Sequence, residues 1–302
     1  MRLRYSLPLG VAAAGAATFG YAAGVELRWF RLRRYEVPVL APGQQSVRVL
    51  HISDAHLAPW QHRKMAWIRS LASLEPDLVV NTGDSIAHQR AVPAFLSALG
   101  PLLDRPGAFV FGSNDYYAPQ FKNPLRYLWS PSSGTPPRQV PRLPWDELSA
   151  GLTEAGWLDL THRRQRITVG DPDGKVDVEI AGIDDSHINL DRYDTVAGQV
   201  DPQAGAHIGI MHSPEPRNLD RFTADGYQLL LAGHTHGGQV CVPGYGALVT
   251  NCGIDQARVK GVHRNGSAWL HVSGGLGTSP YAPVRFACRP EASLLTLVPR
   301  IR

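Results

Sequence analysis

The sequence predicts an α/β protein. Short β-branched apolar runs alternate with loops and helix-periodic segments from Val47 onward. The later chain adds mostly strands. Side chains able to hold metals stand just after several apolar runs, where open α/β sheets bind ligands.

The amino-terminal segment comes first. Leu7 to Val25 carries no charge and is rich in Ala and Gly. Nineteen residues at about 1.5 Å each nearly span a ~30 Å hydrocarbon core. Arg2 and Arg4 precede the run; Arg28, Arg31, Arg33 and Arg34 follow it, with Trp29 and Phe30 among them. Residues 1–34 are therefore expected to be a single-pass membrane anchor with a basic flank, a cleaved signal peptide being the alternative. The arginine block after the run puts the body on the cytoplasmic face of the cell membrane. Residues 35–46, with Pro38 to Gly43, read as a linker, and 47–302 as the functional domain.

Within that domain Val47 to Ile52 is a strand, Gln61 to Leu74 has helical spacing, Leu78 to Asn81 is a short buried strand, Ala91 to Leu99 a helix and Ala108 to Phe111 a strand. Val176 to Ile183, His207 to Met211, Tyr227 to Ala232, Ala247 to Thr250, Ala268 to Val272 and Ser293 to Val298 read as strands. An insert at 119–145 has seven prolines, four basic residues and no acidic one, with Phe121, Tyr127, Trp129 and Trp145 interleaved. It is either an ordered surface excursion, a lid over an anionic substrate, or a patch touching lipid head groups.

Composition excludes several classes. With 43% apolar and 19% charged residues, the chain is globular rather than disordered. Three cysteines, none in a C-x-x-C pair, exclude a disulfide scaffold and a cysteine-rich zinc site. Residues 1–34 hold six arginines against Glu26, so the net charge of +4 sits there. The nearly neutral body argues against a nucleic-acid partner.

Asp54-Ala55-His56 follows His51-Ile52-Ser53; Gly83-Asp84 follows Leu78 to Thr82; Gly112-Ser113-Asn114-Asp115 follows Phe109 to Phe111. His212 ends another apolar run, and Gly233-His234-Thr235-His236-Gly237-Gly238 follows Leu229 to Ala232. Asp54, His56, Asp84, Asn114, His212, His234 and His236 are a nitrogen and oxygen set without thiolate. It suits transition metals such as Mn, Fe or Zn rather than Ca or Mg. Seven ligands fit two ions sharing a carboxylate better than one tetrahedral ion. His51, inside a strand, reads as a core histidine. Asp184, Asp185 and His187 form either a solvated loop or a substrate contact. The cysteines suggest packing alone.

The ordered set resembles the calcineurin-like metallophosphoesterase superfamily over roughly residues 45–300. The tail Gly274-Gly275-Leu276-Gly277-Thr278-Ser279, with Arg285-Phe286 and Arg289-Pro290-Glu291, resembles its membrane-associated YkuE-like bacterial branch. The resemblance implies four layers, with two mixed sheets face to face and helices outside. It implies two divalent transition metals: Asp54, His56 and His236 on the first, Asp84 bridging, and Asn114, His212 and His234 on the second. It also implies hydrolysis of a phosphomonoester, phosphodiester or pyrophosphate by metal-activated hydroxide. The tether and the basic insert suit a lipid-linked substrate; a weakened binding module or a soluble nucleotide phosphodiesterase are the alternatives. One turn departs from the pattern Gly-Asn-His-Asp/Glu. In strict register Ser113 replaces the ligating Asn, and Asn114 the His that assists the leaving group. An amide oxygen is the better ligand, so a shifted register is expected, with Asn114 on metal and Asp115 or His187 as proton donor.

Overall fold

The computed structural model describes residues 6–121, 139–170 and 173–300, with side chains from residue 10 onward. Fourteen strands are present among them: β1 (Arg31–Leu40), β2 (Val47–Ile52), β3 (Leu78–Asn81), β4 (Gly107–Phe109), β5 (Leu158–Asp159), β6 (Arg163–Val169), β7 (Val176–Gly182), β8 (Ala206–Ile210), β9 (Leu229–Ala232), β10 (Cys241–Val242), β11 (Gly246–Ala247), β12 (Gly261–Asn265), β13 (Ala268–Val272) and β14 (Glu291–Pro299). One six-stranded sheet has the order β1-β14-β2-β3-β4-β5, the other β12-β13-β9-β8-β7-β6, and β10-β11 is a separate hairpin. Both sheets are mixed: β2 is parallel to β3 but antiparallel to β14, and β8 is parallel to β7 and β9 while β6 runs against β7.

The period-2 alternation of these strands creates the layers. Val49, Val80, Ile208, Leu229 and Leu295 meet between the sheets. Their neighbours Leu50, Ile52 and Val79 turn outward. They pack under helices α2 (His62–Ser70), α3 (Val92–Leu99) and α5 (Trp145–Glu154) through Ile68, Phe95 and Leu148, with the single turn α4 (Ser113–Tyr116) between α3 and α5 in the chain. On the far side Leu230 and Leu270 pack with Leu219 and Phe222 of α6 (Pro216–Ala224). Helix, sheet, sheet and helix give the expected four layers.

The amino-terminal expectations need correction. Residues 35–46 are not simply a linker, because Arg31–Leu40 is a ten-residue strand beside β14. It lies at a sheet edge, where Pro38 has no second neighbour requiring its missing N–H. No transmembrane helix is found: among the described residues none is long and apolar enough to cross a membrane. Helix α1 is Ser6–Gly20, fifteen residues, about 22 Å long. From Tyr21 the chain widens into a π turn and then a 3-10 turn at Glu26–Arg28. The cause is docking onto the body. The Ala22 carbonyl accepts from Arg285 N at 3.2 Å, Tyr21 packs edge-on against Phe286, and buried Glu26 accepts from the amides of Ala287 and Cys288 at 3.1 and 2.6 Å.

Of the 119–145 insert, residues 122–138 lie outside the described residues. Its flanks are joined by backbone bonds, Ala118 N to Pro141 O and Leu143 N to Tyr116 O, both 2.9 Å. Trp145 begins α5 rather than ending a loop.

Candidate metal centre

The site is built where four strands end. Asp54 and His56 follow β2, Asp84 follows β3, His212 follows β8, and His234 and His236 follow β9. Five of these six residues have left-handed backbones: Asp54 (φ 51°), His56 (φ 40°), Asp84 (φ 53°), His234 (φ 68°) and His236 (φ 50°). Such conformations cluster at functional sites. Here they swing side chains off the strand axes into one space. Two glycines allow the close approach. A Cβ on Gly112 would lie 2.3 Å from Asp84 Oδ1, and one on Gly233 1.9 Å from Ser53 Oγ.

Two groups result. Asp54, His56 and His236 bring ligand atoms within 4.8 Å of one another, as do Asp54, Asp84 and His212. Asp84 Oδ2 stands 3.4 Å from both His56 Nε2 and His212 Nε2. One carboxylate oxygen thus lies between the two halves.

The imidazole tautomers follow from their second nitrogens. His212 Nδ1 lies 2.8 Å from the Thr82 carbonyl, His234 Nε2 3.1 Å from the Asn251 carbonyl and His236 Nδ1 3.0 Å from the Gly277 carbonyl. A carbonyl can only accept, so each of these nitrogens donates, and the opposite nitrogen presents a lone pair. Yet His234 Nδ1 faces His212 Nε2 at 3.3 Å, and His236 Nε2 faces His56 Nε2 at 3.3 Å. The opposed lone pairs of His212 and His234 need a cation between them or a shared proton, whereas buried His56 Nδ1 has no partner and leaves the His56 tautomer free to adapt to His236. This donor set fits a pair of divalent ions.

Electrostatics agree. Burial pushes the Asp54 carboxyl up to about 6 and holds the His56 imidazole down at about 4. Burial also acts on Asp84 and His212, but their mutual attraction wins, lowering the carboxyl well below its usual range and raising the imidazole well above. A proton on His212 does there what a metal ion would do.

At the altered turn, Asn114 reaches the site. Its Nδ2 donates to Asp84 Oδ2 at 2.7 Å and its backbone N to Asp84 Oδ1 at 2.8 Å. The Ser113 backbone N instead donates to Asp185 Oδ2 at 2.8 Å. Asp115, expected as a proton donor, faces backbone amides. Its carboxylate accepts from the backbone amides of Asp84, Ser85, Ile86 and Gly112 at 2.7, 2.7, 3.3 and 3.0 Å. It is a buried clasp joining two ligand turns. His187 lies over His234, with ring centroids 4.3 Å apart.

Four residues have roles at the site that the sequence reading did not assign. Fully buried Arg285 donates to the carbonyls of Gly275, Gly277 and His236 at 3.1, 2.7 and 3.3 Å. Cys288 and Cys241 bond the Gly237 carbonyl from behind, each at 3.3 Å. Asp185 orients the Ser113 turn. An arginine beside a glycine-rich tail was the available signal; the cysteines gave none.

This fold and site define a metal-dependent phosphoester hydrolase. The family model for calcineurin-like phosphoesterases matches residues 47–238, and the chain belongs to that family, in its YkuE-like branch. It is 25% identical to the metallophosphoesterase YkuE of Bacillus subtilis, covering 95% of this chain and 94% of that one. It is 24% identical to the phosphodiesterase YaeI of Escherichia coli, covering 98% and 99%. A transmembrane protein with metallophosphoesterase domain from Bos taurus is 28% identical over 87% of this chain and 56% of its own length. Among solved structures, TT1561 of Thermus thermophilus aligns with a TM-score of 0.41 at 12% identity, covering 77% of this chain and 91% of that one.

Proposed function

We propose that the chain is a dinuclear phosphodiesterase acting at a membrane surface. The carrying observation is the pair of opposed imidazole contacts, each 3.3 Å, arranged about the Asp84 carboxylate. Asp54, His56 and His236 would hold one ion, His212, His234 and Asn114 the other, with Asp84 shared. The nitrogen-rich set suits Mn, Fe or Zn. Such ions supply a water of lowered pKa and neutralise charge on phosphoryl oxygens.

The chain's own residues orient this chemistry. The Thr82, Asn251 and Gly277 carbonyls fix which imidazole nitrogen faces inward. The Asp115 clasp fixes Asp84 relative to Gly112. His187, stacked on His234, contacts the bound phosphoester. The name of the Escherichia coli relative supports a phosphodiester over a monoester.

The membrane part rests on α1. Gly10 to Gly20 is uncharged and exposed, so this helix attaches the enzyme to lipid and brings a lipid-linked phosphoester within reach. Flotation with anionic vesicles tests this: the full chain should float, and a chain lacking residues 1–20 should not.

Elemental analysis of loaded protein tests the centre itself. Close to two equivalents of transition metal are expected, with manganese-dependent hydrolysis of an aryl phosphodiester. A reproducible single equivalent, unchanged in Asp84→Ala, would refute the shared carboxylate.

A further inference from the structure

A line of buried polar side chains runs between the sheets and ends on Asp54. Ser53 donates to Asp54 Oδ2 at 2.6 Å, and Thr82 donates to Ser53 Oγ at 2.8 Å. His51 Nε2 lies 2.9 Å from Thr82 Oγ1, and His51 Nδ1 lies 2.8 Å from His271 Nδ1. His271 Nε2 lies 3.0 Å from Ser293 Oγ. All six residues are at most 1% exposed.

The fold explains the meeting. His51 on β2 and Ser293 on β14 are cross-strand partners in one sheet. His271 on β13 enters between them from the other sheet. The line therefore also ties the sheets together.

Proton counting gives it one direction while Asp54 is ionised. Ser53 and Thr82 each have one hydroxyl proton, and both are used toward Asp54. Thr82 Oγ1 can then only accept from His51, so His51 carries its proton on Nε2. Its Nδ1 must accept, so His271 carries its proton on Nδ1. His271 Nε2 must accept from Ser293. Five aligned bonds point the same way, and aligned hydrogen bonds in a dry interior polarise one another.

We infer that Thr82, His51, His271 and Ser293 are positioning residues for Asp54, forming a one-directional hydrogen-bonded chain that fixes and charges this metal-binding carboxylate. The inference rests on the metal reading of Asp54. His51 is thus the buried, satisfied histidine that the sequence suggests, and is satisfied by groups that lead to the site.

Tautomers provide a readout that mere packing would not fix. Long-range ¹⁵N–¹H correlation spectra of zinc-loaded protein, assigned with His51→Gln and His271→Gln, should show His51 protonated on Nε2 and His271 on Nδ1. The second is the form that free imidazole side chains disfavour. Ser293→Ala, at the far end, should let the Nε2-protonated form of His271 appear. Thr82→Val keeps shape and removes the hydroxyl; zinc affinity should fall about tenfold, the lower end for second-sphere changes. Thr82→Ser should restore it. If Thr82→Val does not fold, Ser53→Ala makes the same cut one bond nearer. His271 protonated on Nε2 in the wild type, or unchanged zinc affinity in the folded variant, overturns the chain alone. Failure of the wild type to take up zinc overturns the metal reading on which it stands.

Discussion

Asparagine at position 115 would separate a structural carboxylate from a catalytic one. Asp115 Oδ1 accepts from Ser85 N and Ile86 N, and Oδ2 from Asp84 N and Gly112 N. An asparagine side chain has the same shape but one acceptor oxygen. In either orientation its NH₂ faces two buried amide donors. Each orphaned donor costs about 1–3 kcal/mol, so Asp115→Asn should lose roughly 2–6 kcal/mol. With a urea slope of about 3 kcal/mol/M, the midpoint should fall by roughly 0.7–2 M.

Equilibrium urea unfolding of chelated protein isolates this from any loss of metal. Hydrolysis should also weaken, because the freed amides are either those of Asp84 and Gly112 or those of Ser85 and Ile86, and each pair belongs to the Asp84 turn or its neighbour. The refuting result is an unchanged midpoint with at least about a hundredfold lower kcat, the range expected of a lost general acid. That would return Asp115 to proton transfer and leave the four amide contacts without energetic weight.

The remaining predictions concern the ligands and one buried base. His234→Ala and Asp84→Asn should abolish hydrolysis while chelated protein unfolds near the wild-type midpoint; an active folded variant would remove that residue from the centre. Asn114→Ala should weaken manganese binding about tenfold and Ser113→Ala hardly at all, because only the Asn114 amide is seen on Asp84; titration giving the reverse order would restore the strict register. Burial holds the His51 imidazole down at about 3, below about 6.5 in the unfolded chain. The unfolded state therefore binds the proton first, and stability present above about pH 6.5 is lost as pH falls toward 3, at up to ~1.4 kcal/mol per pH unit. Urea midpoints of wild type and His51→Gln between about pH 7 and pH 4.5 should diverge in slope; parallel lines would refute the neutral buried base.

The metal ligands were legible because each polar residue interrupts an apolar strand where the fold has no packing use for it. The inner strands were legible for the same reason: Val49, Val80 and Leu231 are surrounded on both faces. The edges were not. Arg163–Val169 forms β6 and Arg31–Leu40 forms β1, yet both carry charges that an edge tolerates and that mask alternation. The π and 3-10 turns after α1 were hidden because an uncharged run specifies burial in something apolar, whereas partners near Phe286 decide where the helix stops. The amide contacts of Asp115 were hidden for a related reason. Its partners are backbone amides of residues 84–86 and 112, and amides leave no mark in a sequence. The line from Ser293 to Asp54 joins β14, β13, β3 and β2, positions that only sheet order brings together.

The backbone around the centre sharpens the argument for cations. Five non-glycine ligands in left-handed conformations cost about 1–2 kcal/mol each, on the order of 5–10 kcal/mol together. They are held by specific contacts. Asp54 N bonds Gly83 O and His56 N bonds Asp84 O, both at 2.9 Å, while His234 N donates to Asp54. The ligand turns thus brace one another, and Asp115 and Arg285 clasp two of them from behind. None of these contacts relieves the opposed lone pairs of His212 and His234, because the bonds that fix their tautomers also aim the lone pairs inward. The outer nitrogens of His212, His234 and His236 are all satisfied, whereas the space between His212 and His234 balances only when positive charge is added. A fold that had merely inherited these residues would lose little by relaxing a single turn. Five strained turns kept in mutual contact are what the proposed pair of ions would require.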